Sequence, residues 1–307
     1  MSLLPALARQ AKSTAHPRAT APPACPCATG TLADRPDATL VRHADTVAKA
    51  HAPGTDPTEL ALRLTLAAHL PGLLPPLTPT PAALHGRPVT FWPYGSPVDP
   101  DDPAAAPWEA AGALLAGLHS TPASALQSVP PMRGPAKAAA AVARLRDAGP
   151  RHPGTALVLC AWAALPAWAR GEAAAPGRRA LCHGDFHLGQ LIRHPVQDGP
   201  WLLIDVDDLG TGPPAWDLAR PAAWFACGLL PADAWARLLA AYRAAGGPAV
   251  PRNGDPWAAL DVPARALTVQ TAARALTKAH AAGRPLDDVE DALVDACARM
   301  VGGSSAQ

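Results

Sequence analysis

The sequence predicts an α+β protein with a small β-rich N-terminal part and a larger, mainly helical C-terminal part. Three observations support this fold class. Short runs of β-branched and aromatic residues lie between residues 39 and 92. From residue 108 onward, long Ala- and Leu-rich segments have helical character. The chain has 307 residues, of which 49% are hydrophobic and 17% charged, so it can bury a sizeable core.

The first 28 residues are predicted to form a lead-in that is partly irregular. Arg9, Lys12 and Arg18 precede the first acidic residue, Asp34, and a transit peptide can show the same pattern. Residues 14–28 are rich in Ala, Pro, Ser and Thr, however. This composition favours a short helix followed by a Pro-rich irregular stretch.

The six cysteines fit a reducing environment, and we expect a soluble cytoplasmic protein. Cys25 and Cys27 are close together, but a C-x-C pair without a second pair is a poor signal for zinc. Apolar neighbours surround Cys160, Cys227 and Cys297, so we expect these thiols to be buried.

The charge balance argues against a nucleic-acid partner. The 26 Lys and Arg residues nearly balance the 25 Asp and Glu residues, which leaves a net charge of +1. Proteins that bind nucleic acids usually present a basic face instead. No apolar run approaches the roughly 20 residues that span a bilayer, so we expect no membrane partner.

An N-terminal lobe is predicted over residues 29–95. Its predicted strands are Thr39–His43, Thr46–His51 and Val89–Trp92. The first two are joined by a turn at Ala44 and Asp45. A helix is predicted to begin at Asp56 and Pro57, because Asp is a favoured N-cap and Pro a favoured first helical residue.

The remainder, residues 96–307, is predicted to form a mainly helical C-terminal lobe. Residues 97–107 contain three Asp and four Pro, which indicates a linker. The predicted helices are Trp108–His119, Leu157–Trp168, Ala215–Cys227, Ala232–Ala245, Pro263–Ala282 and Asp287–Val301.

The most informative segment is Leu181–Gln190, which reads LCHGDFHLGQ. A buried-looking strand, Trp201–Ile204, follows it and leads into Asp205. Phosphoryl transfer requires a carboxylate beside the attacking hydroxyl and oxygen ligands that hold Mg²⁺ against the phosphates. Asp185, Gln190 and Asp205 supply three oxygen-bearing side chains that such a loop and hairpin can place around one cavity.

These residues resemble the catalytic loop of protein-kinase-like enzymes, H-x-D-x4-N, in the H-G-D-x-H-x-x-N form typical of aminoglycoside phosphotransferases and choline kinases. His183, Asp185 and Gln190 are the matching residues. Ile204-Asp205-Val206 is similar to the I-D-[WF] segment of that family, and residues 212–219 are similar to its G-x-P-x-x-D-L-A segment. The resemblance implies a bilobed protein-kinase-like fold.

The resemblance also implies a role for each matching residue. Asp185 would accept or orient the proton of the substrate hydroxyl, and His183 would brace the loop. Gln190 and Asp205 would hold the metal ions. Asp217 would fix the loop after the metal site through backbone hydrogen bonds.

The same fold predicts a nucleotide-binding ion pair in the N-terminal lobe. A lysine belongs on the third strand, and a glutamate belongs on the following helix. Lys49 and Glu59 occupy these positions, and Lys49 is the only lysine between Lys12 and Lys137. We expect the pair to direct Lys49 towards the α- and β-phosphates.

Two further segments are predicted to contact the nucleotide. Phe91–Tyr94 would be the interlobe hinge, whose backbone holds the adenine, with Trp92 and Tyr94 as nucleotide-binding residues. Asp34–Asp37 would be the phosphate-covering loop, although it lacks the Gly-rich pattern of protein kinases.

Gln190 stands where the family pattern has Asn. Gln carries the same amide oxygen on a chain one methylene longer, and maltokinases show a similar H-G-D-x-H-L-G-Q loop. An inactive relative that binds nucleotide without transferring phosphate is one alternative. A metal-dependent hydrolase with His183, Asp185 and His187 as ligands is another.

The reaction implied by the resemblance is transfer of the γ-phosphoryl group of ATP or GTP to a hydroxyl of a small molecule, with Mg²⁺ as cofactor. An aminoglycoside-like antibiotic or a sugar is the implied acceptor class. Acceptor pockets of this fold are built from a helical insert, here about residues 120–175, and the C-terminal helices, where no diagnostic motif lies.

Overall fold

The computed structural model describes residues 2–17, 25–126, 128–196 and 198–304. These residues form two compact units. The first unit is drawn from Met1–Pro107 and Leu188–Asp207, and the second from Trp108–His187 and Asp208–Gln307. This arrangement differs from the expected division at residue 95, because residues 96–107 and 188–207 belong to the first unit.

A five-stranded antiparallel sheet dominates the first unit. Its strands are β1 (Thr29–Asp34), β2 (Thr39–His43), β3 (Thr46–Ala50), β4 (Ala82–Leu84) and β5 (Arg87–Pro93). They lie side by side in the order β1-β2-β3-β5-β4. The sequence predicted β2, β3 and β5 but missed the two edge strands. An edge strand such as β1 is mostly exposed, so it lacks the apolar alternation that identifies a strand.

Helix α1 (Leu3–Ala15) packs on this sheet, as the expected short N-terminal helix. Its buried residues Leu7 and Ala11 join one apolar cluster with residues of the central strands. The strand residues of this cluster are Val41, Ala48, Ala50, Val89 and Phe91. Residues 18–24 of the predicted Pro-rich stretch lie outside the described residues.

Helix α2 (Pro57–His69) begins where its capping residues predict. The Asp56 carboxylate accepts hydrogen bonds from the backbone N–H groups of Thr58 at 2.7 Å and Glu59 at 3.1 Å. These two bonds satisfy donors that have no partner inside the helix. The cap therefore fixes the first turn of α2 independently of distant residues.

A three-stranded sheet completes the first unit. Its strands are β6 (Ser96–Pro97), β8 (Leu191–Arg193) and β9 (Trp201–Leu203), with β8 in the centre and antiparallel to both neighbours. Leu203 O also accepts a hydrogen bond of 2.9 Å from Leu74 N. These backbone bonds explain why residues 188–207 belong to the first unit.

The second unit is mainly helical. Its helices are α3 (Trp108–His119), α4 (Gly134–Ala148), α5 (Gly154–Ala163), α6 (Ala215–Ala226), α7 (Ala232–Ala244), α8 (Trp257–Ala282) and α9 (Asp288–Ser304). Strands β7 (Ala180–Cys182) and β10 (Gly210–Gly212) form an antiparallel pair. Helix α4 was not predicted. Helix α8 begins at Trp257, six residues before its predicted start at Pro263, which lies inside the helix.

The thiols predicted to be buried differ in exposure. Cys297 is buried as expected, whereas Cys227 is half-buried and Cys160 is exposed. The prediction was wrong for Cys160, because this residue lies on the outward face of α5 despite its apolar sequence neighbours. Within the described ranges, no helix is long and apolar enough to cross a membrane.

Candidate active site

The loop that carries Asp185 follows β7 and is shaped by Gly184. Gly184 has a φ of +85°, in the left-handed region that favours glycine. A Cβ atom at this position would lie 2.4 Å from the carbonyl oxygen of Asp208. Backbone conformation and close packing therefore both require the glycine of the H-G-D motif.

Asp217, at the start of α6, binds this loop through its backbone. Its carboxylate accepts hydrogen bonds from the N–H groups of His183 at 2.6 Å and Gly184 at 2.8 Å. We predicted such bonds to the loop after the metal site, and that part of the prediction was wrong. Strand β10, which immediately precedes α6 in the chain, pairs with β7. This pairing places the start of α6 beside the loop that follows β7 and carries Asp185.

A buried hydrogen-bond network extends from Asp217. Its Oδ2 atom lies 2.9 Å from Nε2 of His119, and Nδ1 of the same ring lies 2.8 Å from the hydroxyl of Tyr242. Burial raises the pKa of Tyr242, so its hydroxyl keeps its proton. The network gives the loop a rigid support.

Two cations hold the Asp185 carboxylate. Lys137 Nζ lies 2.7 Å from Oδ2, and Arg220 Nη2 lies 2.5 Å from Oδ1. Burial alone would raise the pKa of this carboxyl, but the charges of Lys137 and Arg220 outweigh burial and lower it. Asp185 is therefore ionised at neutral pH, with both oxygens held in fixed directions.

Lys137 joins Asp185 to a second carboxylate. Its Nζ atom lies 2.5 Å from Asp208 Oδ2, and Arg133 Nε lies 3.7 Å from Asp208 Oδ1. We call Arg133, Lys137, Asp185, Asp208 and Arg220 the Lys137 cluster. With three cations and two carboxylates, it has a net charge of +1. Lys137 and Arg220 were not predicted as site residues, because they lie outside the matching motif residues.

A related cluster surrounds Lys49 in the first unit. Lys49 Nζ lies 2.8 Å from Asp205 Oδ1 and 2.9 Å from Asp207 Oδ2, while His51 Nδ1 lies 3.0 Å from Asp207 Oδ1. Burial lowers the pKa of Lys49, but the two carboxylates outweigh it and raise that pKa. We call Lys49, His51, Asp205 and Asp207 the Lys49 cluster. Counted with a neutral imidazole, one ammonium and two carboxylates give it a net charge of −1.

The structure does not form the expected ion pair between Lys49 and Glu59. The Glu59 carboxylate instead lies 3.0 Å from Nη2 of Arg63, one turn further along α2. The side chain of Glu59 is 46% exposed, whereas that of Lys49 is 8% exposed. The prediction was wrong because the Lys49 ammonium forms its ion pairs with Asp205 and Asp207 instead.

Gln190 and Asp205 fit the predicted magnesium site, because their oxygen atoms are the donor type that Mg²⁺ prefers. Gln190 is buried, and its backbone carbonyl accepts a hydrogen bond of 2.9 Å from Ile204 N, next to Asp205. The side chain of Asp205 is 37% exposed and that of Asp207 is 25% exposed. Both oxygens of Asp207 also face Lys49 or His51, so Asp205 is the better candidate ligand.

The two aromatic residues predicted to bind nucleotide lie at the end of β5. Trp92 Nε1 donates a hydrogen bond of 2.8 Å to Thr90 Oγ1. The ring of Tyr94 stacks on Arg42, whose Cζ atom lies 3.5 Å from the ring centroid. Asp34–Asp37, the predicted phosphate-covering loop, lies at the turn between β1 and β2. Nucleotide binding by these segments stays a prediction.

A cavity of about 240 Å³ lies in the second unit between α4, α5 and α8. It uses the helical regions that were expected to build an acceptor pocket. Two of its polar side chains are already engaged, however: His152 Nδ1 accepts a hydrogen bond of 3.0 Å from Gly154 N, and Arg284 pairs with Glu290 at 2.6 Å. None of the predicted site residues lines the cavity, so we assign no acceptor to it.

Comparisons with known proteins identify the family and the fold of this chain. Residues 32–260 match the phosphotransferase enzyme family, abbreviated APH. A choline/ethanolamine kinase family protein from Mesorhizobium loti is 16% identical, with a TM-score of 0.60, and the alignment covers 97% of this chain and 94% of that one. No curated protein sequence is similar enough to be identified as a relative.

Two antibiotic phosphotransferases have similar structures. A thermostable mutant of aminoglycoside phosphotransferase APH(4)-Ia is 12% identical, with a TM-score of 0.62 and coverage of 91% of this chain and 96% of that one. Spectinomycin phosphotransferase APH(9)-Ia is 13% identical, with a TM-score of 0.52 and coverage of 90% and 88%. At such low identity these neighbours establish the fold alone, which is protein-kinase-like. Because the family match spans most of the chain and includes the H-G-D loop, the chain belongs to the phosphotransferase enzyme family.

Proposed function

We propose that this protein transfers the γ-phosphoryl group of ATP or GTP to a hydroxyl group of a small molecule. Membership of the family supports small-molecule phosphotransferase activity in general terms. The observation that carries the proposal is the Asp185 carboxylate, which is ionised and oriented by Lys137 and Arg220 in the loop that matches the family. Phosphoryl transfer depends mainly on positioning and electrostatic stabilisation. Such a carboxylate provides the positioning, and its two cations can provide the stabilisation.

In this proposal Asp185 orients the attacking hydroxyl and accepts its proton. The lowered pKa makes Asp185 a weak base, so its main contribution at the start of the reaction is to orient the hydroxyl. Formation of the new O–P bond makes the hydroxyl proton acidic, and Asp185 can then accept it. A carboxylate offers about four lone-pair sites. A substrate hydroxyl can therefore donate to Asp185 while Lys137 and Arg220 remain bound.

The net positive charge of the Lys137 cluster suits a group that carries negative charge during the reaction. Lys137 and Arg220 would stabilise charge that develops on the transferred phosphoryl group. Lys137 also acts on Asp185, because the bridge to Asp208 fixes the position of its ammonium group. We therefore assign Lys137 as a positioning residue for the catalytic carboxylate.

The net negative charge of the Lys49 cluster suits a cation. Gln190 and Asp205 would hold Mg²⁺, which neutralises phosphate charge when bound. Lys49 is held by two carboxylates in a fixed position, from which it would bind the α- and β-phosphates. Glu59 has no part in this arrangement, because its carboxylate is engaged by Arg63.

The acceptor classes follow from the neighbours. Aminoglycoside phosphotransferase APH(4)-Ia has been solved in a ternary complex with AMP-PNP and hygromycin B, and APH(9)-Ia in complex with ADP and spectinomycin. Aminoglycoside-like antibiotics are therefore the first acceptors to test. Sugars are the second class, because the H-G-D-x-H-L-G-Q loop resembles that of maltokinases. ATP and GTP should be compared as donors.

The decisive experiment measures nucleotide turnover over a panel of hydroxylated small molecules, with detection of both the released nucleoside diphosphate (ADP or GDP) and the phosphorylated product. Asp185→Asn should lower turnover by about 10²–10⁴-fold, the usual contribution of a positioned acid–base group. Asp147→Asn removes an exposed carboxylate of α4 and should leave turnover unchanged. A folded Asp185→Asn protein with wild-type turnover would refute the assignment.

A nucleotide-binding protein that transfers no phosphate is the second candidate. Asp185 and Asp205 both pair with cations of the protein itself, and Gln190 replaces the usual Asn. Calorimetry with nucleotide and Mg²⁺ would separate the two candidates. Tight binding with no turnover, either to any acceptor or to water, would establish the binding protein.

A metal-dependent hydrolase receives no support from the geometry. In the part of the chain that the structure describes, two groups of His, Cys, Asp and Glu are close enough to hold a metal, and neither contains Asp185. One of them consists of His119, Cys182 and Asp217. Its carboxylate already binds the amides of the catalytic loop, which identifies it as structural.

A further inference from the structure

Four potential metal ligands meet in the first unit. His16 directly follows α1, His43 ends β2, and Cys25 and Cys27 precede β1. One ligand atom from each of these four residues lies within 4.8 Å of all the others. None of them belongs to either lysine cluster, so the proposed phosphotransferase reaction leaves them unexplained.

The distances match the edges of a tetrahedral zinc site. Nε2 of His16 lies 3.2 Å from Nε2 of His43, and Sγ of Cys25 lies 3.3 Å and 3.6 Å from these two nitrogens. Zn–N bonds of about 2.0–2.1 Å and Zn–S bonds of about 2.3 Å imply N···N edges of roughly 3.3 Å and S···N edges of roughly 3.5 Å. The three measured edges agree with this geometry.

Thr29 prepares His43 to act as a ligand. Its Oγ1 atom lies 2.6 Å from Nδ1 of His43, and the register of β1 and β2 places the two residues directly opposite each other. A threonine hydroxyl that accepts a bond from Nδ1–H leaves Nε2 with a free lone pair, on the side where Cys25 lies. Metal-bound histidines commonly have such a partner on their other ring nitrogen.

The two imidazole rings approach the common point from different directions. The ring planes of His16 and His43 make an angle of 83°. Both Nε2 atoms can therefore occupy corners of one tetrahedron without the two rings stacking on each other. A hydrogen bond between the two rings would account for one contact but not for the convergence of two thiols on the same point.

We propose that His16, Cys25, Cys27 and His43 bind one Zn²⁺ ion in a closed, structural site. Two thiolates and two imidazoles form one of the ligand sets of structural zinc, and all four coordination positions come from the chain. Binding releases the two thiol protons to solvent, so two thiolates balance the charge of the ion. The site joins the end of α1 and the segment of Cys25 and Cys27 to the end of β2.

The first test measures bound zinc in untagged protein purified with a reductant that does not bind metals. Wild-type protein loaded with Zn²⁺ and passed through a desalting column should retain about one ion per chain. The double variant Cys25→Ser/Cys27→Ser should retain none. Cys160→Ser, which removes an exposed thiol from the second unit, should retain as much as the wild type.

The second test replaces Zn²⁺ with Co²⁺, whose absorption spectrum reports thiolate ligands and tetrahedral geometry. Wild-type protein should show both signatures, and His43→Gln should lose the tetrahedral spectrum. His69→Gln changes an exposed histidine of α2 and should retain it. Because His43 is buried, its variant can fail to fold, and the variants at the half-buried cysteines provide the test that avoids this problem.

Zinc should also raise the midpoint of thermal unfolding of the wild type, because a ligand that binds the folded state stabilises it. The double cysteine variant should show no such shift. Wild-type protein that retains no zinc, or a double cysteine variant that retains as much as the wild type, would overturn the proposal. Both outcomes are independent of phosphotransferase activity.

Discussion

The Lys49 cluster and the Lys137 cluster use the same element, a lysine between two carboxylates, in two different electrostatic settings. The carboxylates are Asp205 and Asp207 for Lys49, and Asp185 and Asp208 for Lys137. The chain contains only four lysines among its 26 basic residues, so these clusters use half of them. A compact ammonium group with three donors can bridge two carboxylates in this way.

The difference lies in the surplus charge. In the Lys49 cluster the carboxylates outnumber the cations, and Asp205 has the most exposed side chain of the four residues. In the Lys137 cluster Arg220 and Arg133 add two further cations. The first arrangement favours a bound cation and the second favours a bound anion, which are the two requirements of phosphoryl transfer.

Among the variants that test this comparison, the largest effect is expected from Lys137→Met, which removes the bridge between Asp185 and Asp208. Turnover should fall by roughly 10²–10³-fold, the range measured for loss of one electrostatic stabiliser. Lys137 lowers the pKa of Asp185, so its loss raises that pKa. Activity that needs the ionised carboxylate should then decline at a higher pH on the acid side than in the wild type.

The control for Lys137→Met is Lys278→Met, which removes an exposed lysine of α8. Rate measurements across pH should show the wild-type profile for this control. An unchanged acid limb in a folded Lys137→Met protein would mean that Lys137 does not act on Asp185.

A smaller effect is expected from Lys49→Met. Loss of a hydrogen bond to a charged group costs about 1.5–3 kcal/mol, or roughly ten- to a hundred-fold in kcat/KM. Part of this loss should be a higher KM for the nucleotide. A double-mutant cycle with Asp205→Asn should be non-additive, because the two groups lie 2.8 Å apart. Strictly additive losses would show that Lys49 and Asp205 do not depend on each other during catalysis.

Gln190 tests the cation preference of the first unit. Gln190→Asn shortens the side chain by one methylene, and Mg²⁺ tolerates misplaced ligands poorly. We expect a loss of about 1 kcal/mol, or roughly five-fold, with Mg²⁺ and a smaller loss with the larger Mn²⁺. Gln190→Ala should lose activity with both ions. Full turnover by Gln190→Ala would exclude the amide as a ligand.

The smallest effect is expected from Glu59→Gln. The Glu59 carboxylate is half exposed and pairs with Arg63 on its own helix, and such pairs contribute about 0–1 kcal/mol. Nucleotide KM and kcat should therefore stay within roughly two-fold of the wild type. A loss as large as that of Lys49→Met would indicate that Glu59 contacts Lys49 during turnover.

Several features depend on neighbouring residues and could be predicted from the sequence. Asp56 and Pro57 start α2 through local hydrogen bonds, and Gly184 supplies a left-handed turn that other residues rarely adopt. The spacing of Asp185, Gln190 and Asp205 identified the family. Local sterics and backbone hydrogen bonds produce these features, so a short stretch of sequence contains the information.

The partners of the charged and metal-binding side chains were decided by the tertiary structure. Lys49 pairs with a carboxylate 156 residues away in the chain. Lys137 belongs to no sequence motif, and only its position on α4 in the folded chain places it beside Asp185. The C-x-C pair is likewise a weak signal by itself, and the fold completes a set of four ligands by placing His16 and His43 beside it. An ion pair or metal site forms wherever groups converge in space, and sequence spacing contains no measure of that distance.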